Sequence, residues 1–392
     1  MSSTTHAIHY EKKHLPASAG TLGWGVLIAG LAVAGASFAM DPMRAKYSSI
    51  MLFMFLAGVG ICSLFMVSIE YLAGAVWSTP LRRVFEILAS TLLFLPLFAL
   101  PILPFMQELY LWTHKTDDIL ARKAAYLNQP FFLIRLALIL GIWILFYKLF
   151  TGRSYKQDET NDQDLTRKNI KLSAIFIPVF GISITALAID FLMSLEPHWF
   201  STMFGVNFFA GSLVAALGVI TITVILLNEN GYLVKGIIGD HYYSLGFGMF
   251  AGCVFWTYTA FSQGMLIWYA NLPEETPWFL NRWEGSWKVI TIALLLVHFI
   301  GPLFGLIQRK NKRNPSRMIF MAAWVIFAHM LDLYWIVVPV FQPEGPSLRL
   351  TEFGFIAIAI GFLIVLVTQQ AKKKNLVAVG DPKLQRGLAF RL

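Results

Sequence analysis

Histidine and carboxylate side chains interrupt several long apolar runs of this sequence, and these residue types can bind and release protons. His329 and Asp332 are three residues apart in "IFAHMLDLYW", so on a helix they lie on one face. His298 lies in the middle of the preceding apolar run. An ionisable group in a membrane-spanning helix is costly and is a functional candidate by default. These three residues are therefore candidates for proton transfer.

Two carboxylates lie nearer the ends of other apolar runs. Asp190 comes four residues before Ser194, and hence lies on the same helix face, while Glu70 closes the second run. Burial and neighbouring charges can adjust the proton affinity of such groups. The five candidates are spread through the depth of the predicted membrane domain, as a proton relay requires: Glu70, Asp190, His298, His329 and Asp332.

Other interpretations of these residues stay open at this point. His329 and Asp332 could simply hold two helices together, since single hydrogen bonds inside membranes contribute about 0.6 kcal/mol on average. Glu70 could extend towards the lipid headgroups. The imidazoles of His298 and His329, on consecutive antiparallel helices, could instead ligate a haem iron.

The composition indicates an all-α polytopic membrane protein. Hydrophobic residues make up 57% of the 392 residues, charged residues only 14%, and the mean hydropathy is +0.64. A soluble domain carries about 25% charged residues. No short apolar segment with a small-residue cleavage site precedes the first long run, so we expect no cleavable signal peptide.

The cysteine content argues against redox cofactors held by this chain. The two cysteines, Cys62 and Cys253, both lie inside apolar runs. They are too few for a four-cysteine iron–sulfur cluster, and the sequence has no C-x-x-C-H haem-attachment motif. We expect no metal site and no cofactor bound covalently or by metal ligation.

Runs of about 20 apolar residues, the length needed to cross a bilayer, predict ten transmembrane helices. The prolines at 96, 101 and 104 should bend the third. We expect a polar N-terminal segment over 1–20, a membrane domain over 21–370 and a basic tail over 371–392. The predicted spans are 21–40, 47–71, 84–112, 130–150, 171–195, 206–228, 241–270, 286–308, 317–341 and 352–370.

The distribution of basic residues predicts the orientation. Of the 31 Lys and Arg residues, 21 fall on the side of the two termini and seven on the opposite side, the other three lying near span ends. Because cytoplasmic loops carry the excess of Lys and Arg, both termini are predicted to be cytoplasmic. The basic residues then face anionic phospholipid headgroups, and we expect no nucleic-acid partner.

Polar and aromatic residues concentrate in two segments on the predicted outer face, "LEPHWFST" and "LIWYANLPEET". Pro197 and Pro273 are expected to end the preceding helices, and the aromatic rings suit a membrane interface. This outer-face motif could dock a partner protein or release protons. It comprises Glu196, His198, Trp268, Tyr269, Asn271, Glu274 and Glu275.

Three segments resemble a known family. They are "DFLMSLEPHWFSTMFG", "DHYYSLGFGMFAGCVFWTYTAFSQGMLIWYANLPEETPWFLNRWEGSW" and "HMLDLYWIVVPV". They resemble the ActF subunits of alternative complex III, a bacterial quinol:cytochrome c oxidoreductase, within the NrfD and polysulfide-reductase membrane-subunit superfamily. The resemblance extends over about residues 20–370 and implies a location in the bacterial inner membrane.

The resemblance implies two four-helix bundles, formed by helices 2–5 and 6–9, with helices 1 and 10 at the periphery. It also implies that haems and iron–sulfur clusters lie in partner subunits. Those partners would be an ActC-like membrane subunit, an iron–sulfur subunit, and multihaem and monohaem cytochrome c subunits. For this chain it implies a structural role and a proton path, with menaquinol, another quinol or lipid as the expected small-molecule neighbour.

Carried over to this sequence, the resemblance adds Asp240 and His241 at a cytoplasmic entrance to the residues already named, together with Gln263 and Tyr334. A more histidine-rich stretch is expected at "DHYYSLG". This sequence leaves only His241 there, which puts in doubt any role that needs several histidines.

Three alternatives to a proton path remain. The chain could bind quinol itself through another outer segment, residues 107–114. It could also be a purely structural scaffold. A secondary transporter is less compatible with the sequence, because no paired Gly/Pro-broken spans are evident. The quinol contacts proposed for the first alternative, which could also be plain interfacial anchors, are Gln107, Glu108, Tyr110 and His114.

Overall fold

Ten apolar helical segments account for most of the structure, a computed structural model that describes residues 15–392. No β-strand occurs in this range, so the predicted all-α membrane fold is confirmed. Residues 1–14 of the predicted N-terminal segment lie outside the described residues. In chain order the segments are α1 (Ala17–Met40), α2 (Pro42–Ala73), α3 (the bent pair Arg82–Leu93 and Leu95–Leu109), α4 (Gln129–Thr160), α5 (Asp164–Leu195), α6 (Phe204–Glu229), α7 (Gly239–Ala270), α8 (Trp287–Leu306), α9 (Pro315–Val340) and α10 (Leu350–Lys373).

The third segment departs most from a straight helix. Its two parts meet at 45°, and the second part alternates between short α-helical and 3₁₀ turns. Pro96, Pro101 and Pro104 all lie in that second part, where each lacks the backbone N–H that a continuous helix requires. The predicted bend is therefore confirmed, although it is a break rather than a curve.

The long helices form two four-helix bundles. In the first, α2 packs against α3 and α5, and α4 closes the ring between them. In the second, α6 packs against α7 and α9, with α8 between those two. The bundles join mainly through α2 and α6, the two most deeply buried helices. This is the architecture that the family resemblance implied.

Helices α1 and α10 form a peripheral pair, and both pack against α2. Their backbones approach closely at Gly30, where an added Cβ would lie 2.7 Å from the backbone nitrogen of Ile358. Small residues allow such approaches between membrane helices, where packing rather than hydrophobic burial drives association. Gly25, one and a half turns earlier on α1, faces open space.

The segment after α10 folds back across one end of both bundles instead of projecting as a basic tail. The backbone N–H of Gly380 donates to Asp158 Oδ1 of α4 at 3.0 Å, and His241 of α7 bonds the carbonyl of Gly387 at 3.0 Å. Val377 is fully buried. We call this end, formed by residues 374–392 and the loops after α2, α4, α6 and α8, the C-terminal face.

Candidate functional site

The second bundle encloses a cluster of polar side chains contributed by three helices. His329 and Asp332 come from α9, His298 from α8 and Trp256 from α7. The Trp256 indole stacks on the His298 imidazole, with ring centroids 3.8 Å apart and planes within 6°, and its Nε1–H donates to Asp332 Oδ2 at 3.1 Å. Both histidines are fully buried, and Asp332 is 2% exposed.

Local backbone features position the two histidines. His298 lies in a π-helical turn, Leu295–Ile300, and such turns interrupt α-helices frequently at functional sites. His329 lies against the backbone of α6, since a Cβ at Gly211 would lie 2.7 Å from its Nδ1. A side chain larger than hydrogen at position 211 would displace the imidazole.

The four imidazole nitrogens of the cluster are its most unusual feature. Both ring nitrogens of His298 and of His329 lack a hydrogen-bond partner among the described residues, and His329 Nδ1 is 4.0 Å from Asp332 Oδ2. Buried polar groups are nearly always hydrogen-bonded to protein or water. Bridging waters would satisfy these nitrogens and would connect three proton-binding groups in one chain.

The same cluster bears on the haem hypothesis. One ligand atom each of His298, His329 and Asp332 lies within 4.8 Å of the others. A haem between the two imidazoles would have to displace the Trp256 ring, which covers the face of His298 and holds Asp332. The packing thus favours small occupants, such as water, over a porphyrin.

Asp190 lies apart from this cluster, in the first bundle. Arg135 of α4 binds its carboxylate with two hydrogen bonds, of 2.8 and 2.9 Å. The same guanidinium donates to the Tyr126 carbonyl at 2.8 Å and lies 3.8 Å from the Tyr126 ring centroid. Burial raises the pKa of the Tyr126 hydroxyl, outside the spans, to about 12. Asp190 therefore has a structural partner for each of its two oxygens.

Glu70 also lies in the first bundle, at the C-terminal face. It is 2% exposed and accepts hydrogen bonds from Arg82 Nη1 and Thr79 Oγ1, both at 3.0 Å. Of the two interpretations left open for Glu70, the structure disfavours extension to the headgroups, because Arg82 binds the carboxylate inside the protein.

A cavity of about 530 Å³ opens between the bundles at the opposite face. This volume falls in the usual range for small-molecule sites, roughly 300–1,000 Å³. Trp199 and Trp278 stack at 4.3 Å in its wall, beside Tyr47. Its lining brings together residues from both outer segments and from the quinol hypothesis: Glu108, His114, Glu196, His198 and Glu274.

A buried arginine contacts two residues that line this cavity, Glu196 and Trp278. Arg282, in the short helix Pro277–Trp283, donates to Glu196 Oε2 at 2.6 Å and to the carbonyls of Trp335 and Ile336. Its guanidinium lies 3.8 Å from the Trp278 ring centroid. Burial lowers the pKa of Arg282, and Glu196 opposes that shift. Arg282 thereby links the backbone of α9 to Glu196, which follows α5, beside the cavity.

The remaining outer residues are scattered. Trp268 and Tyr269 are 79% and 84% exposed, and Glu275 is half-buried outside the cavity lining. Asn271 adopts a left-handed conformation, φ 48°, and its N–H bonds the Ile267 carbonyl at 2.9 Å. α7 therefore ends at this cap, before Pro273.

Two of the four suggested quinol contacts do not line the cavity. Gln107 is exposed beside it, and Tyr110 is fully buried, with its hydroxyl donating to the Phe191 carbonyl at 3.3 Å. Glu108 forms an ion pair with Lys46 at the rim.

The predicted entrance at Asp240 and His241 is covered. Asp240 pairs with Arg313 and accepts the N–H of Leu392 at 3.1 Å. His241 Nδ1 accepts the Ile238 N–H at 3.1 Å, so Nε2 carries the hydrogen that bonds Gly387. Gln263 lies near the other end of α7 and is 7% exposed, and the Tyr334 hydroxyl donates to the Ser347 carbonyl at 3.0 Å.

The sequence interpretation missed several residues that build these sites. Trp256 lies in the middle of a predicted span, but nothing local distinguishes it from an ordinary apolar packing residue. Arg135 could have been identified, because an arginine inside a span needs a partner and Asp190 is an available carboxylate. Arg282 and Gly211 gave no comparable signal, since their roles depend on contacts between distant helices.

No family model matches the chain, and no curated protein matches it. The membrane fold therefore stands on the structure, and the family stays a prediction from the three sequence motifs.

Proposed function

We propose that this protein is a membrane subunit of a bacterial quinol-oxidising respiratory complex and that it conducts protons. Electrons would pass to a cytochrome c or similar carrier through haems and iron–sulfur clusters of partner subunits. Support for complex membership comes from the three motifs that resemble ActF subunits. Both termini would be cytoplasmic, as the Lys and Arg bias predicts.

The observation that carries the proton path is the buried cluster of His298, His329 and Asp332. Three proton-binding side chains lie together in the second bundle, with four unsatisfied imidazole nitrogens among them. A fully hydrogen-bonded core pair would be expected if the cluster only held helices together. Glu70 and Asp190 belong to separate ion-paired sites in the first bundle, so the proposed path runs through α7, α8 and α9.

Asp332→Asn in the purified complex, reconstituted into vesicles, tests the path. Asparagine keeps an acceptor for Trp256 Nε1–H but cannot bind a proton, so we expect proton translocation per electron to fall. Asp164→Asn is the matched control, because Asp164 is exposed and pairs only with exposed Arg167. Unchanged translocation per electron in Asp332→Asn would contradict the proposal, and purification of the chain without cytochrome or iron–sulfur subunits would contradict complex membership.

The outer cavity favours a second candidate, in which this chain binds quinol itself. A quinol ring fits between the Trp199–Trp278 stack and polar groups such as His114 and Glu108. Quenching of tryptophan fluorescence by a soluble menaquinone analogue would measure binding. His114→Ala should weaken it several-fold, while Glu284→Gln, an exposed change outside the cavity, should not. Equal binding by His114→Ala and the control would contradict this candidate.

A further inference from the structure

Six charged side chains lie buried together where the first bundle meets the C-terminal face. They come from α2, α3, α4 and the segment after α10, and none is more than 10% exposed. Four are carboxylates and two are guanidiniums: Glu70, Arg82, Arg83, Glu86, Asp158 and Asp381.

Two guanidiniums face four carboxyl groups in this cluster, and Arg83 is the centre of one half. Arg83 contacts Glu86 Oε2 and Asp158 Oδ2, both at 2.5 Å. Asp158 accepts a further hydrogen bond from the N–H of Gly380. Asp158 therefore has two donors, as an ionised carboxylate requires, whereas Glu86 Oε1 is buried without a hydrogen-bond partner among the described residues.

In the other half, two carboxyl groups share one nitrogen of Arg82. A single nitrogen, Arg82 Nη1, contacts both Glu70 Oε1 at 3.0 Å and Asp381 Oδ2 at 2.6 Å. Because they share that nitrogen, the two carboxyl groups are close neighbours. Glu70 Oε2 is buried without a hydrogen-bond partner among the described residues, and Asp381 Oδ2 has only its ion-pair contact with Arg82 Nη1. Arg82 is also 3.5 Å from Glu86, so one guanidinium serves three carboxyl groups.

Within residues 15–392, Arg82 and Arg83 are the cations that form the ion pairs of these four carboxyl groups. Tyr71 of α2 and Tyr155 of α4 present rings to Arg82 and Arg83. The Lys374 ammonium lies against the Tyr155 ring, 4.0 Å from its centroid. Thr79 gives Glu70 a hydroxyl, and α5 presents the uncharged Asn169. An unpaired charge buried in protein costs several kcal/mol, so a buried carboxyl pair lowers its energy by binding a proton.

We propose that Glu70 and Asp381 form a carboxyl pair that shares one proton. A proton held between the two carboxyl groups would give Glu70 Oε2 the hydrogen-bond partner that it lacks and would leave the pair with one negative charge beside Arg82. The bound proton thus attaches the segment 374–392 to α2. When it leaves, two carboxylates repel each other across one guanidinium nitrogen, and the segment loosens. This site is separate from the histidine cluster and does not rest on the proposed function.

Infrared spectroscopy of the purified chain tests the shared proton. The wild type at neutral pH should show the carbonyl band of a protonated carboxylic acid, shifted after exchange into D₂O. Asp381→Asn and Glu70→Gln should each lose that component, because the remaining carboxylate pairs with Arg82 alone. Asp164→Asn should retain it. Retention of the full band in both test variants would overturn the proposal.

Tryptic cleavage within residues 374–392 provides a second measurement, on the wild type itself. Cleavage at Lys383 and Arg386 should accelerate several-fold as the pH rises and the shared proton is lost. Glu70→Gln removes the repulsion and should make cleavage nearly independent of pH. Equal pH dependence in wild type and Glu70→Gln would overturn the proposal, as would a wild-type segment protected by sodium ions instead of protons.

Discussion

At the scale of single residues, the buried ionisable side chains separate into two kinds. Asp190 has a guanidinium for both oxygens, while His298 and His329 have no partner for any ring nitrogen. Paired charges hold helices together, and unpaired proton-binding groups are the better candidates for transport. Both kinds appear in the sequence as polar residues in apolar runs, so only their contacts distinguish them.

The Arg135–Asp190 pair should be structural. Asp190→Asn leaves the buried Arg135 charge uncompensated, and we expect the free energy of unfolding in mixed micelles to fall by about 3–5 kcal/mol. The double variant Arg135→Met/Asp190→Leu should recover most of that loss. If Asp190→Asn keeps wild-type stability yet abolishes proton translocation, Asp190 belongs to a proton path after all.

A second residue-scale prediction concerns pH. Asp117 caps the short helix Asp118–Lys123 by accepting the Leu120 N–H at 2.8 Å, and it bonds His198 Nε2 at 2.7 Å. The backbone N–H, with a smaller contribution from His198, lowers the Asp117 pKa below its ordinary 3.8. A lowered folded-state pKa contributes stability that is present above pH 3.8 and lost as the pH falls through the folded-state value.

Melting temperatures of wild type and Asp117→Asn, recorded against pH, measure this contribution. The variant should melt slightly lower at neutral pH and coincide with the wild type in strong acid. The difference should shrink with added salt, since both partners are exposed. A difference that persists unchanged in acid would exclude Asp117 ionisation as the cause.

At the scale of elements, close helix contacts and irregular turns position the site. The π turn of α8 sets His298 against Trp256, and the bare backbone of Gly211 makes room for His329. Gly30, by contrast, allows close packing of α1 against α10. Two glycines on the same helix, one in contact and one exposed, allow a matched comparison.

Gly30→Ala should separate α1 from α10, because the new Cβ would meet backbone atoms of α10. Overpacking of this kind typically costs about 1–3 kcal/mol. Gly25→Ala faces open space and should be neutral or slightly stabilising. Denaturant titration of both variants measures the contrast, and equal stability would show that the α1–α10 contact adjusts without cost.

At the scale of the whole molecule, hydropathy predicted the ten spans because a span depends only on local composition. The bend of α3 was predictable for the same reason, from its prolines. The course of the segment after α10 was not, since Asp381 finds Arg82 and Glu70 only in the folded chain. The outer cavity likewise needs Glu108, Glu196 and Glu274 from three separate segments of the chain, and no local pattern joins them.

The predicted orientation of the whole molecule can be measured with single cysteines. Lys310→Cys lies on the C-terminal face and Glu344→Cys on the opposite face, both at exposed positions. Native Cys62 and Cys253 are buried and should give little background. A membrane-impermeant thiol reagent applied to spheroplasts should label Glu344→Cys and spare Lys310→Cys. The reverse pattern would place both termini outside the cytoplasm.

The ion pairs that link distant parts of the chain have a consequence for its biosynthesis. Arg44 and Glu352 are bonded at 2.5 Å, yet they are 308 residues apart in the sequence. The ribosome therefore delivers α2, the centre of the first bundle, long before α10 and Asp381 supply partners for its charges. Until α10 and the segment after it have been made, these charges of α2 lack those partners. A chain stalled after α9 would leave Arg44 without Glu352 and Glu70 without Asp381.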